Sequence, residues 1–391
     1  MHHPSTLAFS ICVIFIAAAG MSTLALYTRQ SLLVAYMLVG VLLGPWGLKF
    51  IADPDIVSQT GEIGIIFLLF LLGLHLHPQN LWHMLRKMTW ITLISSLVFA
   101  LIGYAVGMLF HYSSTESLII GLTMMFSSTI IGLKLLPTTV LHHQHTGELV
   151  ISILLMQDIV AILVLLALQS LGPEQVSWLT SLAATAIVFP LLCGFALLIE
   201  KVILVKLIAR FDRIKEYMFL VAIAWCLGLA ELATRMHLSP EIGAFIAGVT
   251  LAASPISLYI AESLKPLRDF FLVMFFFSIG ASFNLTFISS VFWAALLLMA
   301  LVLVLKPVLY YYLLKEPSGS KQVAWEVGIR LGQSSEFSLL LAYLAVSTQL
   351  ISDKASYLIQ ATTLLTFIAS SYIVVLRYPT PIAISDKMRR D

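Results

Sequence analysis

Charge is scarce in this 391-residue chain: 11% of residues are Asp, Glu, Lys or Arg, against 60% apolar residues and a mean hydropathy of +0.99. Soluble domains carry about 25% charge and about 45–50% apolar residues. So little charge excludes a soluble globular protein, a disordered chain and a nucleic-acid binder. Cysteine is also sparse. Cys12, Cys193 and Cys226 each lie in an apolar run at no metal-like spacing, which argues against a disulfide framework or a zinc site. No Lys or Arg precedes the first apolar run, which continues to about Tyr27. A retained first helix is therefore expected rather than a cleaved signal peptide. No polar gap is long enough for a soluble domain, no Gly-rich filter-like loop is visible, and no soluble-type enzyme active site is apparent. The expectation is a protein that is not an enzyme, with no cofactor and no nucleic-acid partner.

Apolar runs fill the chain instead. A spanning helix needs about 20 mostly apolar residues, and thirteen such runs are legible: 6–27, 31–50, 59–77, 88–111, 116–136, 147–170, 176–205, 214–235, 239–257, 266–284, 288–314, 321–348 and 354–376. Their separators carry breaker residues: Pro45–Gly47, Pro78–Asn80, Ser113–Ser114, Pro137, Gly172–Pro173, Ser239–Pro240 and Pro317–Gly319. The predicted fold is an all-α polytopic membrane protein, one transmembrane domain over residues 1–391, in a lipid bilayer. Lys49, Arg235 and Lys354 fall on one side of it. Seventeen other Lys and Arg fall on the opposite side, and the remaining two of the 22, Lys306 and Arg330, lie inside spans. By the positive-inside rule the N-terminus is outside and the C-terminus cytoplasmic. The tail from Pro379 to Asp391 reads as short and polar.

A weak repeat runs through the spans. Helix 3 contains Gly73 in Phe70-Leu-Leu-Gly-Leu-His-Leu, and helix 10 contains Gly280 in Phe277-Ser-Ile-Gly-Ala-Ser-Phe. Ser127–Ser128 of helix 5 and Ser334–Ser335 of helix 12 share the same offset, 207 residues. That offset spans seven helices, an odd number. The second six-helix unit is therefore inverted relative to the first, with helix 7 as connector, the arrangement of secondary transporters.

Candidate site residues cluster where polar groups interrupt apolar sequence. Helix 5 carries Ser127, Ser128 and Thr129; helix 12 carries Arg330, Gln333, Ser334, Ser335 and Glu336. Unwound backbone is tolerated at membrane depth only where it lines a cavity or is buried in protein, so helices 5 and 12 are expected to be paired, crossed and discontinuous. Gln157–Asp158 lies mid-helix 6, with Leu154, Leu155, Ala161 and Ile162 on the face of Asp158. A lone midplane carboxylate is by default functional, and one that exchanges a proton for a monovalent cation fits the pattern. Gln157 offers a neutral carbonyl oxygen. Lys306, beside Pro307, either pairs with Asp158 or neutralises the negative C-terminal ends of two half-helices; the second reading is preferred. Arg330 and Glu336 are expected to anchor half-helix ends, and Gln333, Ser334 and Ser335 to line the crossover. His75, His77, His142, His143 and His145 read as solvated rather than as a metal site, and one carboxylate with one amide makes a poor divalent site.

Taken together, Gly61–Leu81, Ser127–Thr129, Leu155-Met-Gln-Asp-Ile159, Phe275-Phe-Phe-Ser-Ile-Gly280 and Gly332-Gln-Ser-Ser-Glu-Phe337 resemble the monovalent cation:proton antiporter-2 family, in particular the membrane domain of Kef-type potassium efflux systems. The resemblance covers the whole chain in order. It implies a homodimer held through helix 1 and its neighbours, in the inner membrane. It also implies a core that moves as an elevator, carrying crossed helices 5 and 12 around an ion site on helix 6. Asp158 is then the shared proton and cation site, with Gln157 and backbone carbonyls near Ser127, Ser128 and Thr129 completing the shell. A Gln-Asp pair is the potassium-type pattern, so K⁺/H⁺ antiport is the first expectation, Na⁺/H⁺ antiport the second, and a ligand-gated K⁺ channel-like efflux protein the third. His75 and His77 stand where Kef proteins tend to be acidic, and the sequence ends where they continue into a cytoplasmic regulatory domain. A stand-alone transporter and a chain completed by a regulatory domain or subunit both fit.

Overall fold

Long apolar runs without breakers satisfy their own backbone groups as helices, and the computed structural model is helical throughout its regular elements. It describes residues 7–51, 63–67, 69–71, 73–74, 78–134, 145–169, 178–211, 214–236, 238, 240–252, 254 and 257–380. The first helices are α1 (Leu7–Tyr27) and α2 (Leu32–Leu43), followed by helical residues at 63–67, 69–71 and 73–74. Next come α3 (Pro78–Leu109), α4 (Ser114–Met124), α5 (Thr129–Lys134) and α6 (His145–Gln169). Helix α7 (Trp178–Ile199) passes through a π turn at Glu200–Leu204 into α8 (Val205–Phe211). Then follow α9 (Lys215–Arg235), α10 (Pro240–Ala252), α11 (Ser257–Ser282) and α12 (Ile288–Leu314). The last three are α13 (Lys321–Arg330), α14 (Glu336–Ser347) and α15 (Asp353–Arg377).

Seven helices among the described residues are long and apolar enough to cross a membrane, fewer than the thirteen runs in the sequence. The difference has physical causes. Two expected spans are each split in two, so neither half reaches spanning length alone. Helix α2 stops at Leu43, where the Gly44 N–H caps back onto the Gly40 carbonyl. Helix α11 carries Glu262, Lys265, Arg268 and Asp269 along its first half.

Two boundaries are corrected. Pro78–Asn80 opens α3 rather than ending a span, because proline at the first helical position gives up an N–H that has no partner there anyway. Pro266 lies inside α11 rather than at its start; a proline in a helix interior removes one backbone bond and does not always end the helix. Separators Pro137 and Gly172–Pro173 lie outside the described residues, as do His75, His77, His142 and His143.

The chain divides into two compact units. One contains Met1–Ile14, Ile51–His83 and Leu166–Ser278; within it α9 and α10 pack together, and Trp225 donates its indole N–H to the Ala247 carbonyl. Gly73 and Gly248 face each other there: a Cβ on Gly248 would stand 2.1 Å from the Phe70 carbonyl oxygen. The other unit contains Phe15–Phe50, Met84–Leu165 and Ile279–Asp391. In it α12 packs on α13 and α15, and α14 on α4 and α15. A Cβ on Gly280 would stand 2.0 Å from the Met37 carbonyl oxygen. Gly73, whose Cβ would stand 2.5 Å from the Phe245 carbonyl oxygen, and Gly280 thus each let a backbone approach that any side chain would block.

Candidate functional site

Helices 5 and 12 of the sequence reading are both broken. The first consists of α4 and α5, separated at 125–128; the second consists of α13 and α14, separated at 331–335. The second halves start at Thr129 and Glu336, again 207 residues apart. Each start is capped by a serine: Ser128 Oγ accepts from the Ile131 N–H (3.0 Å) and Ser335 Oγ from the Phe337 N–H (3.1 Å). A serine hydroxyl supplies an acceptor to the donor-rich first turn.

The two breaks touch. Ser127 Oγ donates to the Leu331 carbonyl (2.8 Å), and Gln333 Nε2 to the Ser128 carbonyl (3.4 Å). Gln333 is held in turn by Ser370, whose hydroxyl donates to Oε1 at 3.0 Å, while Thr366 Oγ1 accepts from the Ser334 N–H at 3.1 Å. Ser127, Ser128, Gln333, Ser334 and Ser335 are all buried, so the polar groups of both breaks find partners in protein.

Lys306 projects from α12 into this junction. It is wholly buried, and its ammonium donates to the Phe126 carbonyl (2.7 Å), the Gln333 carbonyl (3.0 Å) and Ser127 Oγ (3.3 Å). The centre of the Phe99 ring lies 5.5 Å from it. These are the carbonyl-rich ends that follow α4 and α13, each carrying about half a negative charge. The lysine therefore meets the half-helix ends, and none of its described bonds goes to Asp158.

Asp158 sits on α6, buried to 2% exposure, and Thr129 Oγ1 donates to its two oxygens at 3.2 and 3.3 Å. A carboxylate offers about four lone-pair sites, and one hydroxyl engages only part of that capacity. The carboxylate thus lies at the positive start of α5. Glu336 occupies the corresponding positive start of α14, also buried, and is close enough to interact electrostatically with Asp158. Carboxylates at the two N-terminal ends and an ammonium between the two C-terminal ends complement the dipoles of four half-helices.

Gln157 reaches the first break. Its Oε1 accepts from the Ser127 N–H (3.0 Å), and its Nε2 donates to the Tyr310 hydroxyl (2.8 Å) and the Met125 carbonyl (3.3 Å). Arg330 ends α13 and is paired with Glu326 (2.8 Å). It also donates to the Pro379 carbonyl at 3.1 Å and lies over the Tyr378 ring at 5.4 Å. The spacing Glu326-x-x-x-Arg330 signals that pair in the sequence. Tyr310, Thr366 and Ser370 carry no such local signal, and sequence reasoning missed them.

Comparisons with known proteins agree with this architecture. The solved structure of the sodium proton antiporter MjNhaP1 from Methanocaldococcus jannaschii at pH 8 superposes with a TM-score of 0.71 at 17% identity, covering 93% of this chain and 94% of that one. A relative named "Iron transporter MagA", from Paramagnetospirillum magneticum (strain ATCC 700264 / AMB-1), is 29% identical over 379 residues, 95% of this chain and 85% of the relative. Residues 11–376 match the family model described as "Sodium/hydrogen exchanger, transmembrane". With a paired break, a buried carboxylate and a match over nearly its whole length, the chain belongs to the sodium/hydrogen exchanger family, the multi-pass membrane cation/proton antiporters.

Proposed function

We propose that the protein exchanges a monovalent cation for a proton at Asp158, with sodium as the first cation to test. The observation that carries this reading is the Asp158 carboxylate, buried at the broken-helix junction with one hydroxyl bonded to it among the described residues. Such a group takes either a proton or a weakly held cation, and the two compete for the same oxygens. Thr129 Oγ1, a second lone pair of the Gln157 carbonyl and carbonyls at the break complete a shell of neutral oxygens. The family match, and a structural neighbour that is itself named a sodium proton antiporter, favour sodium. A second reading, potassium, draws on Gln157 standing where a second acid would bind a smaller ion more tightly, and on the narrower likeness to Kef-type systems.

One relative is named for iron. Among the described residues no three His, Cys, Asp or Glu side chains come together as a metal site, and a hydroxyl-and-amide shell suits hard monovalent cations better than Fe²⁺. We further propose a cytoplasmic C-terminus, from the Lys and Arg asymmetry, and an inner-membrane location, from the likeness to Kef-type systems. Two copies pair through α1 and its neighbours, and the core carrying both breaks moves as an elevator.

The test is exchange in proteoliposomes with a trapped pH dye, adding Na⁺, Li⁺, K⁺, Rb⁺ or Fe²⁺ in turn. Sodium-driven proton movement that disappears in Asp158→Asn, with the variant purified at normal yield and stability, is expected. Wild-type exchange rates in the Asn variant would remove Asp158 from the reaction. Activity with Fe²⁺ alone would replace the monovalent reading.

A further inference from the structure

We infer that Tyr310 is a positioning residue of the cation site. This rests on the proposed reading of Asp158 as that site and adds a residue outside it. Tyr310 and Lys306 are four residues apart on α12, so they lie on one face, one turn apart. Lys306 holds the carbonyls of both breaks. Tyr310 holds the Gln157 amide at 2.8 Å, the shortest of that side chain's three bonds.

The amide transmits this hold in two directions. Its Oε1 anchors the Ser127 N–H of the break, and its backbone is adjacent to Asp158 on α6. The Met125 carbonyl only accepts and the Ser127 N–H only donates, so the amide has a single orientation, with nitrogen toward Met125 and Tyr310 and oxygen toward the break. That orientation obliges the Tyr310 hydroxyl to act as acceptor. Ser95 Oγ also donates to that oxygen, at 3.4 Å. The ring is wholly buried and belongs to one apolar cluster with Ile153, Leu154 and Leu331. Tyr310 is therefore a rigid strut between the helix bearing Asp158 and the helix bearing Lys306. It sets how far the carboxylate and the neutral oxygens of the break can relax around an ion. A fixed spacing discriminates ions by size; a slack one does not.

Tyr310→Phe keeps the ring and removes the acceptor. The expected result in proteoliposomes is an apparent KM for Na⁺ raised about tenfold, the factor for one lost buried hydrogen bond, with kcat changed less than about twofold. The spread of KM values across Li⁺, Na⁺, K⁺ and Rb⁺ should contract by a similar factor. Hydrogen exchange followed by mass spectrometry should show loss of protection at 125–129 and none at 331–335. In a Gln157→Met background, Tyr310→Phe should add no further loss of protection at 125–129. Unchanged KM values and protection in Tyr310→Phe, or an additive loss in the double variant, would overturn the assignment. Wild type and Asp158→Asn run alongside: failure of wild type to exchange any of the four ions sinks the functional reading, while the exchange-protection comparison still decides Tyr310.

Discussion

Replacing Lys306 by methionine removes the charge that joins the two broken helices while keeping length and volume. The ammonium makes two short bonds to carbonyls, at 2.7 and 3.0 Å, and one longer bond to Ser127 Oγ at 3.3 Å. Hydrogen bonds to charged groups contribute about 1.5–3 kcal/mol each, and a buried acceptor left without a donor costs about 1–3 kcal/mol. Two orphaned carbonyls alone therefore amount to about 2–6 kcal/mol. Against this, burying an ammonium costs several kcal/mol that methionine does not incur. Set against that relief of several kcal/mol, the loss leaves an expected net destabilisation of at most about 2 kcal/mol. Lys306→Gln is one bond shorter, reaches a single carbonyl, and should fall between. Thermal unfolding of the detergent-solubilised protein should rank wild type above Gln above Met. A methionine variant as stable as wild type would mean that the breaks hold together without the ammonium, and the dipole argument would fail. Stability retained with exchange lost would instead make Lys306 a proton carrier.

Exchange should be electroneutral, one cation for one proton. Asp158 carries the same net charge when protonated as when loaded with a monovalent cation, and Lys306 is bonded to carbonyls, which favour its staying charged throughout; a steady transport current on a solid-supported membrane, or equilibrium shifts tracking about 2.3 kcal/mol per charge per 100 mV, would refute this. Gly248→Val should destabilise by about 1–3 kcal/mol through overpacking, since its Cβ would meet the Phe70 carbonyl oxygen at 2.1 Å, whereas Gly228→Ala, with nothing within 4 Å of the added carbon, should change the unfolding temperature little.

Several features of the site were legible in one dimension. Hydropathy marks membrane segments because the bilayer tests each segment locally, residue by residue. The serine pairs at 127–128 and 334–335, at a common offset of 207, mark the breaks because a short hydroxyl in an apolar helix competes for backbone groups. Asp158 stands out because no other carboxylate lies mid-span on helix 6. Helix ends were less legible: Pro78 reads as a breaker and Pro266 as a boundary, yet the first opens a helix and the second lies inside one.

The amino-acid sequence by itself therefore determined that the chain spans a membrane, that two helices are interrupted, and that one buried carboxylate lies beside them. Only the tertiary structure decided which charge meets which. Lys306 goes to the two carbonyl-rich ends, and Gln157 clips the break under the hold of Tyr310. Residues 126 and 306, or 157 and 310, are separated by more than 150 positions. No local periodicity or propensity encodes such pairs; they follow from how the helices pack, and in a low-dielectric interior that packing leaves each buried polar group few partners to choose from.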